Sequence, residues 1–103
     1  MEANIAVFGI LRFPPESIEK VLPHLNVLIR ETYEHDGCIA YDVALDPFDK
    51  GLIRFSELWP NKTALHRHLT AAHIDPWRQQ AKKHGLIERE FHAYDLSSGP
   101  VAI

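Results

Sequence analysis

The side chains in this sequence best suited to moving a proton near neutral pH are its seven histidines. Imidazole is the only side chain whose unperturbed charge change falls between pH 5 and 8. Two of them, His68 and His73, stand five residues apart. At that spacing they do not share one face of a regular helix. They converge only if the helix breaks between them, in which case a base and a second imidazole look onto one place. The structural alternative is that His73 bridges the break and His68 is a hydrogen-bonded, partly buried side chain. His66 and His68 point to different sides of a helix, and no group of histidines has zinc-type spacing, so the sequence predicts no metal site. Cys38 is the only cysteine. With no Cys/His/acid constellation around it, it reads as a small buried hydrophobe and not as a nucleophile.

Glu57 is the most unusual acid. It alternates with Phe55 and Trp59 and so faces an apolar surface, where a carboxylate needs a partner or a raised pKa. One reading has it hold a histidine in a single tautomer or order a cavity. The other has it pair with Arg54, Arg89 or a partner subunit, as carboxylates in ion-pair networks do. Trp59, Trp77 and Phe55 are of the type that lines a pocket for a planar aromatic ligand, although large aromatics are more often simply core. Tyr41 can donate its hydroxyl to an oxyanion or pack in a sheet with that hydroxyl in water.

These residues sit on an alternating series of elements. Residues 4–13 are rich in β-branched and aromatic types and read as a strand, with Ile5, Val7 and Leu11 on one side and Phe8 and Ile10 on the other. Residues 16–34 read as a helix from Ile18, Leu22, Leu25, Ile29 and Tyr33, with a kink or restart expected at Pro23 and a left-handed stop at Gly37. Residues 38–46 alternate through Ile39, Tyr41, Val43 and Leu45; a loop to Gly51 then leads into a strand over 52–59, giving an antiparallel hairpin. Asn61 is placed to cap a short helix ending near Leu69. A second helix covers about 72–84, its start free to shift to Asp75 because Pro76 fits only a first turn. Residues 86–96 form the last strand, with Ile87, Arg89, Phe91 and Ala93 alternating.

The order β-α-β-β-α-α-β predicts an α+β, ferredoxin-like fold: a four-stranded antiparallel sheet with helices on one face. At 103 residues the chain has room for a single domain, residues 1–103. The apolar character of the opposite sheet face calls for a partner, most simply a second copy packed through the sheet, and the tail 97–103 is placed to reach that copy. A net charge of −3 with no basic stripe argues against nucleic acid. No apolar run is long enough to span a membrane, and the opening Met1-Glu-Ala-Asn-Ile does not read as a signal peptide. With one cysteine, a cytoplasmic location is expected.

Three clusters together carry a resemblance: Gly37-Cys38-Ile39-Ala40-Tyr41, then Glu57-Leu58-Trp59, then His68 followed by His73. This pattern resembles the antibiotic biosynthesis monooxygenase superfamily, in particular its quinol-monooxygenase-like branch, over about residues 4–96. Members of that superfamily oxidise quinols or anthrone-like phenols, degrade haem, or isomerise small sugar-derived phosphates. The resemblance implies a dimeric α/β-barrel architecture and a cavity between sheet and helices. It also implies oxygenation without metal, flavin or haem, in which the deprotonated substrate itself supplies electrons to dioxygen. Such chemistry needs a base, donors for an oxyanion, and an apolar hollow that excludes water. The resemblance matches His68 and His73 to the family's two histidines, as base or proton shuttle; Glu57 joins them as a catalytic candidate, and Tyr41, Phe55, Trp59 and Trp77 are the candidates around the substrate. The haem-degrading branch is disfavoured. Its tryptophan and iron-ligating histidine align with His68 and Arg78, and Asn4 lies too early for its strand asparagine. The expected activity is thus monooxygenation of a small phenolic, quinol or anthrone-type substrate. The alternatives are a cofactor-free isomerase of an enolisable metabolite and a non-catalytic ligand-binding dimer.

Overall fold

The computed structural model describes residues 2–103; Met1, which opens the segment read above as lacking a leader, lies outside them. The elements are β1 (Ile5–Arg12), a 3-10 turn (Pro15–Ser17), α1 (Ile18–His35), β2 (Ala40–Leu45), β3 (Leu52–Trp59), α2 (Lys62–Leu69), a second 3-10 turn (Ala72–Ile74), α3 (Asp75–Lys83) and β4 (Glu88–Asp95). The four strands form one antiparallel sheet in the order β2-β3-β1-β4. This is the ferredoxin-like arrangement expected from the sequence, with the second helical region split in two.

Strand register decides which side chains meet. Val7 stands opposite Glu57 on β3 and Ala93 on β4, and Glu57 stands opposite Tyr41 on β2. Because side chains alternate along a strand, Ile5, Val7, Leu11, Ile53, Phe55, Glu57, Trp59 and Tyr41 all turn toward the helices. All but Glu57 belong to a cluster of buried apolar residues, of which they form the floor. Gly9 lies between Phe55 and Phe91 in the same row. A Cβ there would stand only 2.1 Å from the Phe91 ring, so the missing side chain is what lets that ring lie across β1. The helices stop short of the sheet edge at β4. Phe91 is half-buried, whereas Arg89 and Ala93 remain exposed on the helix side of the strand.

Two features of α1 differ from the sequence reading. Pro23 neither breaks nor restarts the helix, which is continuous from Ile18 to His35. Pro23 is exposed, so the carbonyl that loses its amide partner is left near solvent and not in the core. The buried stripe keeps Ile18 and Leu25 of the expected one, but Val21, Leu28 and Thr32 are buried where Leu22, Ile29 and Tyr33 were expected, with Leu22 and Ile29 only partly buried beside them. Tyr33 is exposed along its ring, and its hydroxyl accepts a hydrogen bond from the Tyr41 amide at 2.9 Å. Thr32 takes the buried place because its hydroxyl donates to the Leu28 carbonyl at 2.7 Å, which removes the cost of burying it.

Helix α1 ends as expected. Asp36 is its C-cap and Gly37 follows with a φ of 71°, the left-handed conformation that turns the chain into β2. At α2 the Asn61 side chain accepts from the Ala64 amide at 2.8 Å, fixing the helix start. Helix α3 begins at Asp75 with Pro76 in its first turn. No helix is long and apolar enough to cross a membrane among the described residues.

Candidate active site

A cavity of about 420 Å³ lies between the helix side of the sheet and the α2–α3 pair, opening toward β4. Its size is typical of small-molecule sites. Val7, Leu11 and Phe55 supply the floor, and Phe91 supplies the side next to β4. Leu28, Leu65, Ile74 and Trp77 come from the helical side. Trp77 meets the Phe13 ring edge-on at 6.3 Å and so is fixed from behind. The polar groups reaching into this apolar space are few, among them Tyr41, Glu57 and His68.

The position of His68 follows from the capping of α2. With the helix start set by Asn61, Ala64 and His68 fall one turn apart on the buried side while His66 and Arg67 face solvent. His68 is 3% exposed and packs against the Trp59 and Tyr41 rings, at 4.9 and 5.4 Å between centroids. Its Nδ1 lies 2.6 Å from Oδ2 of Asp36. The 3-10 turn after α2 carries His73 back toward the end of α1, where its Nε2 lies 2.9 Å from the same oxygen. The two imidazoles therefore converge across the helix break, as their spacing required, but on a third residue. An ionised carboxylate only accepts, so both of these nitrogens carry hydrogens. That leaves Nε2 of His68 as its basic nitrogen, on the ring edge away from Asp36. His73 does not line the cavity and is 23% exposed, with its ring 5.9 Å from that of His35.

Asp36 is the residue that sequence reasoning passed over. It reads there only as part of the His35-Asp36-Gly37 helix stop, yet it is 2% exposed and bonded to both rings. The available signal was an acid forced under the chain by a left-handed glycine next to it. Burial lowers the His68 pKa below its usual value, against the opposing pull of Asp36. The lowered pKa favours the neutral imidazole, the form able to take a proton.

Glu57 is buried but hydrogen-bonds no histidine among the described residues. It accepts a hydrogen bond from the Trp59 indole at 2.9 Å, and burial raises its pKa to about 7. Of the partners considered from sequence, Arg54 is on the opposite sheet face and bonds Asp46 at 2.8 Å, whereas Arg89 acts on Glu57 only through its charge. Trp59 is fully buried behind Glu57 and does not line the cavity; Phe55, Tyr41 and Trp77 do. Burial drives the Tyr41 pKa far up, assisted by the Glu57 charge, so its hydroxyl stays protonated. Cys38 is partly buried, with its thiol pKa also raised by burial. Nδ1 of His68 and Nε2 of His73 each bond the same Asp36 oxygen, as in an oriented base. Glu31, Glu34 and His35 cluster on the outer surface of α1, away from the cavity.

A family model described as antibiotic biosynthesis monooxygenase matches residues 4–80. No curated protein matches the chain. Among solved structures, one described as an antibiotic biosynthesis monooxygenase is 28% identical, with a TM-score of 0.83, covering 91% of this chain and 99% of its own. A conserved protein from Methanosarcina mazei Go1 is 22% identical, with a TM-score of 0.81 and coverage of 91% and 93%. A Pseudomonas aeruginosa protein is 20% identical, with a TM-score of 0.81 and coverage of 95% and 98%. The last two likenesses concern the fold.

Proposed function

The chain belongs to the antibiotic biosynthesis monooxygenase family, and from that premise we propose that it is a cofactor-independent monooxygenase acting on a small phenolic, quinol or anthrone-type substrate. The observation that carries the reading is the His68–Asp36 pair at 2.6 Å on the wall of an apolar cavity. His68 Nε2 takes the proton of a bound phenol or quinol. Asp36 holds the ring in that tautomer and steadies the imidazolium that forms, an arrangement general bases commonly use. Tyr41, still a donor, supports the charge developing on the substrate oxygen. The electron-rich anion then reduces dioxygen. One oxygen atom enters the substrate, the other leaves as water, and the substrate supplies all the electrons, so no external reductant is consumed. Phe55 and Trp77 hold the planar ring and keep water out. His73 acts on His68 through Asp36, and Glu57 with Trp59 behind it shapes the cavity wall.

We read residues 1–103 as one domain that works in the cytoplasm as a homodimer through the open sheet face. Phe8 and Tyr94 support the pairing. Both lie on that face about half exposed, with rings 6.0 Å apart. The tail 97–103 is exposed and carries Val101 and Ile103 into solvent, which suits contact with the second copy.

The test is oxygen uptake with a panel of quinols and anthrones. Dioxygen should disappear in step with substrate, and His68→Ala should slow this by roughly 100-fold or more. Substrate loss without oxygen uptake would favour an isomerase, since the same base and donor serve an enediol. Binding without any turnover would favour a ligand-binding dimer.

A further inference from the structure

Three exposed cations are among the residues that line the cavity: Arg78 and Lys82, one turn apart on α3, and Arg89 on β4. The cavity has one acidic lining residue, Glu57, and it is buried deep inside. In a chain of net charge −3 this is a local reversal of sign. Arg78 is partly engaged, donating to the Leu69 carbonyl at 2.8 Å with Asp75 at 3.8 Å. Lys82 and Arg89 have no carboxylate partner among the described residues. The Arg89 guanidinium instead sits 4.6 Å above the centre of the Phe91 ring, which forms the adjoining cavity wall. Like charges one helical turn apart repel, so Arg78 and Lys82 are not the pairing that α3 alone would favour. Lys82 does complement the α3 C-terminus, but that accounts for neither Arg78 nor the cation lining the cavity from another element.

We propose that the cavity binds an aromatic acid, with the ring system inside against Trp77 and Phe91 and the carboxylate held at the mouth by Arg89 and Lys82, with Arg78 adding to the field. The proposal rests on the reading of this cavity as the substrate site and names the substrate class. A guanidinium parked on an aromatic face presents its N–H fork edgewise, the geometry a carboxylate accepts. An acid group at the mouth also directs the ring's other substituents inward, toward His68.

Calorimetric titration of the full chain with 1-hydroxy-2-naphthoate and with 1-naphthol isolates the carboxylate. The acid should bind at least tenfold more tightly, with the advantage shrinking as salt is raised. Arg89→Gln and Lys82→Gln should each remove most of that advantage and leave 1-naphthol affinity unchanged, while Arg89→Lys retains part of it; circular dichroism confirms that each variant is folded. Equal affinity for the two ligands, no binding of either, or acid affinity unaffected by both variants would overturn the proposal. The readout does not depend on turnover: an acid that binds as expected but consumes no oxygen would count against the oxygenase and leave the ligand class standing.

Discussion

Asp36 accepts two hydrogen bonds on one oxygen, and the donors are imidazoles from either side of a helix break. Replacing it by Asn keeps the shape but weakens the orientation of His68, so turnover should fall by about tenfold or more. Asp36 raises the His68 pKa against the lowering effect of burial. Asp36→Asn should therefore move the acid limb of the pH–rate profile to lower pH while the plateau drops, as steady-state rates across pH would show. Glu57 makes a separate prediction, on stability. Its pKa is about 7 in the folded protein against 4.5 ordinarily, so between those values the unfolded chain is ionised while the folded one holds its proton. Stability thus falls as pH rises from about 4.5 to about 7, by up to ~3 kcal/mol in all. Glu57→Gln, which can still accept from the Trp59 indole, should flatten that slope in urea titrations at pH 5 and pH 8. The burial of Glu57 was legible from its alternation with Phe55 and Trp59. The role of Asp36 was not, because a polar residue before a glycine looks like any helix stop until the distant His68 and His73 are placed in space.

Helix α1 shows how far local pattern reaches. Its end was readable because a left-handed residue after a C-cap is nearly always glycine, and Gly37 has that conformation. Gly37→Ala should destabilise the protein by about 1 kcal/mol, seen as a lower Tm, and loosen Asp36 next to it. The buried stripe was readable at Ile18 and Leu25 but not at its C-terminal end. Tyr33 has the larger apolar body, but Thr32 satisfies its own hydroxyl within the helix and can be buried outright. Pro23 misled for a related reason: a proline's cost depends on which carbonyl it orphans, and here the site is exposed. Pro23→Ala restores that amide. It should raise stability, by at most about 3 kcal/mol and less to the extent that proline stiffens the unfolded chain. The start of α3 at Asp75 was anticipated by Pro76, which fits the helix in its first turn.

At the scale of the molecule, the sheet has two unlike faces. One is roofed by helices and holds the cavity. The other presents Phe8 and Tyr94 with a rim that includes Arg54, Glu90 and His92. A homodimer through that face predicts a solution mass near twice the 11.8 kDa of one chain. Phe8→Glu should shift sedimentation equilibrium toward the single-chain mass, and an unshifted distribution would place the contact elsewhere. The fold class was legible because the first strand declared itself by its β-branched and aromatic residues and the other three by alternation. The aperture at β4 was not, since nothing in residues 86–96 says that α2 and α3 fall short of the edge. That aperture owes its inner width to Gly9, whose backbone is unstrained but whose lone hydrogen is what Phe91 rests upon. Two segments from opposite ends of the polypeptide are thereby fitted as die to stamp. Even alanine at this position, harmless by every backbone criterion, would lift the aromatic plate and refashion the chamber's bore, making one hydrogen atom the gauge of what the protein can admit.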